Sequence, residues 1–104
     1  MKPNMNNMLK QAQRMQAEMA RVQEELKNET VEASVGGGTV KVVMTGDLAL
    51  RSVTIDPAAV DPDDVAMLED MVAAAVNEGL RQAQELAGRK MSAVTGGMNI
   101  PGLM

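Results

Sequence analysis

The chain has 104 residues, 45% of them hydrophobic and none aromatic, with eleven Met, no Cys, no His and a net charge of −4. Without Cys or His it has no disulfides, no thiol catalysis and no thiolate metal site, and it lacks the usual proton shuttle and the commonest metal ligand. One domain is expected at this length. With no bulky residue to fill a layer and soft Met doing part of that work, burial is expected to be completed by a second copy of the chain.

The first residues, Met-Lys-Pro-Asn-Met-Asn-Asn, have no apolar stretch of the signal-peptide kind. The longest strongly apolar run, 71–76, is too short to span a bilayer. A soluble, intracellular-type protein with no membrane partner is expected. Pro3 and Asn4 open a helix, with Asn4 or Asn6 as cap, and residues 1–28 read as a helical arm. Met5, Met8, Ala12, Met15, Met19, Val22 and Leu26 follow one another at alternating steps of three and four. That stripe is too narrow for a broad core and suits a helix whose partner is one other helix. Met5, Met8, Met15, Met19, Val22 and Leu26 are therefore the expected dimer or helix seam. At about 1.5 Å per residue the helix is about 35 Å long, more than a three-stranded sheet covers, so one end should project.

The period then changes. Val31, Ala33 and Val35 alternate with polar residues, Gly36-Gly37-Gly38 follows, and Val40, Val42 and Met44 resume the alternation. This predicts a β-hairpin. Gly46-Asp47 is the next turn and a third strand is expected from Leu50 to Ile55, with Val53 and Ile55 on one face. Leu48 and Leu50 fall on the opposite parity, which calls for a bulge or a later strand start. The sheet occupies 29–57. Asp61-Pro62-Asp63-Asp64 predicts a helix start, with Asp61 as N-cap and Pro62 at N1, and the helix over 61–95. Its apolar residues again step by three and four. Gly88 is a possible kink and Thr95-Gly96-Gly97 a stop, leaving 96–104 as a tail. The fold class is α+β: long N-terminal helix, three-stranded antiparallel meander, long C-terminal helix with a short extension.

Charge is distributed unevenly. Residues 1–21 carry Lys2, Lys10, Arg14 and Arg21 against Glu18, and 79–104 carry Arg81, Arg89 and Lys90 against Glu85, whereas 56–78 hold seven acids and no base. Basic ends around an acidic middle point to a polyanion-binding surface more clearly than the sum does. Lys10, Arg14 and Arg21 share one side of a helix and form a candidate phosphate-contacting stripe, as do Arg81, Arg89 and Lys90. The competing reading is a solvated face with Arg14–Glu18 and Arg21–Glu25 pairs. With no aromatic to stack on single-stranded bases, duplex backbone is the expected target. Asp61, Asp63 and Asp64 lack EF-hand spacing and are explained by capping. Gly36-Gly37-Gly38 is no phosphate loop, since a strand follows instead of Gly-Lys-Ser/Thr and a helix. No residues cluster as an enzyme site would require, and no cofactor or small-molecule substrate is expected.

The chain resembles the YbaB/EbfC family of bacterial nucleoid-associated proteins. The resemblance rests on 8–16 (Met-Leu-Lys-Gln-Ala-Gln-Arg-Met-Gln), on Gly38-Thr39-Val40-Lys41-Val42 with Gly46, and on Val53-Thr54-Ile55-Asp56-Pro57. It continues through 67–77, Lys90-Met91 and Gly96-Gly97-Met98. Those segments cover essentially the whole chain in order. The resemblance implies a single domain over 1–104 and a tweezer-like homodimer with paired sheets and central helices as body and terminal helical parts as arms. It also implies binding of double-stranded DNA in the cytoplasm and nucleoid, with weak or variable sequence preference, to organise the chromosome or regulate expression. Arm cations would make the contacts, because the family has no fixed base-reading motif. The alternative from the residues alone is a homodimeric helical adaptor or prefoldin-like chaperone subunit that grips protein rather than DNA.

Overall fold

Strand β2 (Val40–Thr45) is the centre of the molecule, because its Val40, Val42, Met44 and Thr45 side chains are all buried. A computed structural model describes residues 5–96. In chain order it has α1 (Met5–Asn28), β1 (Thr30–Val35), β2, β3 (Leu50–Ile55), a 3₁₀ turn over Pro57–Ala59 and α2 (Val65–Gly96). The sheet is an antiparallel meander in the order β1-β2-β3. The expected architecture and the three strands are all present. From Gly97 on, the expected tail lies outside the described residues, as do Lys2, Pro3 and Asn4.

The core is made of small residues. Ala33, Val40, Val42 and Ala75 form its centre, with Val35, Ile55, Leu68, Met71, Val72 and Val76 packed around them. On α2, Ala75, Gly79 and Ala83 follow at steps of four and line one face. A Cβ at Gly79 would stand 3.0 Å from Val42 Cγ2, so the missing side chain lets the helix backbone approach the sheet. Close approach replaces the aromatic layer this composition lacks. Among the described residues only eight apolar side chains are buried, of which Val22 and Leu26 are the two from α1.

β3 is left uncovered. Its pairing with β2, Val42 to Val53 and Val40 to Ile55, puts Val53 and Ile55 on the core face as expected. α2, however, lies over β1 and β2, so Val53 remains 40% exposed and Leu50 47%. The parity break is resolved by a bulge: Val43 pairs Ser52 while Met44 pairs Leu50, and Arg51 is the extra residue. At the far end of β2, Gly36, Gly37 and Gly38 all have positive φ, which only glycine adopts without strain.

The second helix begins later than predicted. Asp61 caps no helix: its carboxylate accepts from Asp63 N–H at 2.9 Å and shapes a turn. Asp64 is the cap, accepting from Met67 N–H at 3.3 Å, and the helix starts at Val65. An Asp side chain serves a turn and an N-cap by the same short-range bond, so the acid nearest the apolar run takes the cap. The helix also runs straight through Gly88.

α2 travels from Met71, beside Gly36, to Gly79, over Val42 and Met44. It leaves the sheet at the end where Thr30 pairs Thr45 and where α1 arrives. The last turns of α1 and α2 are therefore antiparallel neighbours. The molecule is a rod, 75 × 26 × 17 Å with a radius of gyration of 20.2 Å, against about 13 Å for a compact chain of this length. Its surface of 7546 Å² exceeds the roughly 5600 Å² of a compact monomer of this mass.

Candidate nucleic-acid interface

Residues 5–14 of α1 are exposed on every side. The narrow seam explains this: Val22 and Leu26 find the body, Met15 and Met19 are half-buried, and Met5 and Met8 are 75% and 59% exposed. The outer half of α1 is thus an arm, and between Met5 and Ala17 it carries Lys10 and Arg14 with no acid. At the opposite end of the rod, beside the glycine turn, stand Asp56, Asp61, Asp63, Asp64, Glu69 and Asp70, without a base among them. A net negative chain is in this way strongly polarised along its long axis.

The six candidate cations fall into two groups. Arg21 is held between neighbours on its own helix: its Nη2 lies 2.6 Å from Glu18 and its Nη1 2.5 Å from Glu25. Hydrogen bonding to Glu18 raises its pKa further above the ordinary arginine range. Arg81 repeats the arrangement on α2, with Glu78 at 2.5 Å and Glu85 at 2.6 Å. Its hydrogen bonds, with help from Gln82, hold the Glu78 carboxyl down to about 2. Lys90 crosses to the other helix: its Nζ lies 2.9 Å from Glu25 Oε2 and 2.8 Å from Glu29 Oε2, and its side chain is only 24% exposed. The bond from Lys90 is the main cause of the lowered Glu25 pKa, and the two carboxylates raise that of Lys90.

Lys10, Arg14 and Arg89 form the second group. All three are exposed and make no ion pair among the described residues. The Arg14–Glu18 pair that spacing permits is not formed, because Glu18 turns to Arg21 instead. Arg51, which spacing did not single out, is also exposed, at the bulge on the arm-side end of the sheet. No periodicity could have flagged it, since its position depends on the bulge.

Where α1 meets the body, Leu26 sits directly on Gly46: a Cβ there would stand 2.6 Å from Leu26 Cδ2 and 3.1 Å from its carbonyl oxygen. Beside that seat is an open, mainly apolar cavity of about 480 Å³, lined by residues that include Gln23, Leu26, Leu48, Gln84, Ala87 and Met91. Among the described residues no cluster of acids could hold a metal ion, and no helix is long and apolar enough to cross a membrane.

Residues 1–98 match the model of the YbaB/EbfC DNA-binding family. A nucleoid-associated protein of Acetivibrio thermocellus is 58% identical over 101 residues, spanning 96% of this chain and 89% of the relative. One from Desulforamulus reducens is 57% identical over 100 residues, 96% of this chain and 95% of its own. In fold, the chain is similar to the crystal structure of an uncharacterised protein from Helicobacter pylori, with a TM-score of 0.75 at 22% identity, covering 91% of this chain and 98% of that one.

Proposed function

From the premise that the chain belongs to the YbaB/EbfC DNA-binding family, whose members are nucleoid-associated proteins and not enzymes, we propose that it grips double-stranded DNA by the phosphates with the arms of a homodimer. The observation that carries this reading is the outer half of α1: an exposed, projecting helix with Lys10 and Arg14 and no acid, at the far end of the rod from six carboxylates. Cations on such an arm displace counterions from the duplex without reading bases, so sequence preference is weak. Lys10, Arg14 and Arg89 are the primary contacts. Arg21 and Arg81 join only where a phosphate displaces a carboxylate from the guanidinium. The acidic end faces away from the DNA, at the other end of the rod.

Self-association is supported by what a single chain leaves open. Its surface exceeds that of a compact monomer by about 1900 Å², and a stable homodimer buries about 1000–2500 Å² per subunit. Leu50 and Val53 on the uncovered face of β3, Val60 after the 3₁₀ turn, and Val65 and Met67 in the first turn of α2 are all exposed apolar side chains. Two linked arms then bind with the avidity that one lacks. The site of action is the nucleoid in the cytoplasm.

Titration of a labelled random duplex at several salt concentrations tests the proposal. Three primary cations on each of two subunits give a slope of log affinity against log salt of about −5.4. No binding at low salt would overturn it. That result would favour the adaptor reading, which draws on the exposed Met5, Met8 and Leu9 of the arm.

A further inference from the structure

We infer that Lys90 is a positioning residue rather than a phosphate contact: its bridge to Glu25 and Glu29 fixes the direction in which the α1 arm leaves the body. The inference rests on the DNA-binding reading for its consequence and on geometry for its substance. Glu25 lies in the last turn of α1 and Glu29 just past its end, where its N–H still donates to the Glu25 carbonyl at 3.0 Å, so the two side chains stand one turn apart on the same side. One ammonium held 2.9 and 2.8 Å from the two carboxylates sets both the sliding and the rotation of α1 against α2. Arg21 holds the second oxygen of Glu25, so the Glu25 rotamer is fixed from both sides. With two carboxylates on it and most of its side chain covered, Lys90 has little to offer a phosphate.

Packing supplies only part of this constraint, through the buried Val22 and Leu26. On the cavity side α1 touches the body through Leu26 on Gly46, and the about 480 Å³ space bounded by Leu48, Ala87 and Met91 leaves room for the helix to tilt. The arm is a long lever. From Glu25 to Met5 is about 30 Å at 1.5 Å per residue, so a 10° tilt at the bridge displaces the tip by about 5 Å. That exceeds the 3.4 Å axial step between phosphates of one strand. A loosened bridge therefore scatters the arms and lowers the chance that both engage one duplex.

The test combines distances with salt dependence. The chain has no Cys, so spin labels placed at Ala17 and Ala93 by Cys substitution are unique; both positions are exposed. Labelled protein diluted into unlabelled protein reports the distance within one protomer. Lys90→Gln is expected to broaden that distance distribution and weaken binding of a random duplex roughly tenfold with an unchanged salt slope. Lys90→Arg is expected to restore both. Glu29→Gln is also expected to broaden the distribution and weaken binding, whereas it would strengthen binding if Lys90 were a phosphate contact waiting to be freed. A slope reduced by about two per dimer in Lys90→Gln, tighter binding by Glu29→Gln, or a distribution as narrow as that of the parent protein would each overturn the inference. A parent protein that ignores duplex would sink the DNA reading, and the label distances would still decide the role of the bridge.

Discussion

Arg14→Gln is the most direct probe of the arm. Arg14 is exposed, makes no ion pair among the described residues and lies on a part of α1 that contacts little of the body. Gln keeps helix propensity close to that of Arg, so the fold should tolerate the change. A dimer carries two copies, and each lost phosphate contact removes about 0.9 from the slope of log affinity against log salt. The slope should fall in magnitude from about 5.4 to about 3.6. Expressed between 50 and 200 mM salt, the loss of affinity shrinks from about 1800-fold to about 150-fold. Fluorescence anisotropy with a labelled duplex of random sequence, repeated on a second duplex of different composition, gives both slopes. Because phosphates carry no sequence information, the change should be the same on both. A normal slope with the substitution in place, or a loss confined to one duplex, would refute the assignment of Arg14 to the phosphate backbone.

Arg21→Gln should change the slope much less than Arg14→Gln, because Arg21 already spends its donors on Glu18 and Glu25; equal effects in the same titration would refute this ranking. Gly46→Ala forces a methyl against the Leu26 backbone and should cost about 2 kcal/mol, read as a drop of roughly 10 °C in the melting midpoint; an unchanged midpoint would show that α1 seats elsewhere. Val53→Lys places a charge on the open face of β3 and should shift the protein from dimer to folded monomer in light scattering after size exclusion; a persistent dimer would move the interface off β3. Acid should also discriminate. The Glu78 carboxyl is held near 2 in the folded chain against an ordinary 4.5, so its contribution is complete above about 4.5 and fades as pH falls toward 2. Glu78→Gln should flatten that part of the stability curve in a pH series of denaturant melts, and identical curves would contradict the pairing.

Much of the fold was legible because period carries the information. Steps of three and four mark α1 and α2, and strict alternation around Gly36-Gly37-Gly38 marks the hairpin. The misplaced start of α2 has a simple cause: Asp61 and Asp64 offer the same chemistry, and only the three-dimensional path says which is the turn and which the cap. The candidate site was legible as a set of cations but not in its internal order. Spacing alone permitted Arg14 to pair with Glu18 and offered Lys90 only Glu85 as a nearby acid. In the fold Glu18 serves Arg21, and Lys90 finds two carboxylates more than sixty residues away in sequence. Long-range pairing of this kind has no signature in periodicity.

Net charge is a poor guide to what this rod can bind. The chain is acidic as a whole, yet a polyanion approaching along the long axis meets Lys10 and Arg14 at one end, while six carboxylates stand at the other, separated by a good part of a 75 Å extent. At physiological ionic strength fields between exposed charges decay over about 8 Å. The acidic end is then many screening lengths from DNA held at the arms, and its repulsion does not reach it. Near the arms the balance is set locally, by which cations are already neutralised. On the proposed reading, the carboxylates of Glu18, Glu25 and Glu29 therefore matter more to DNA binding than the larger acidic cluster: they lie within bonding distance of Arg21 and Lys90. They convert two of the six candidate cations from ligands for phosphate into fastenings of the arm itself. On that reading the prongs that grip and the joint that aims them are built from the same residue types, told apart only by what each one touches.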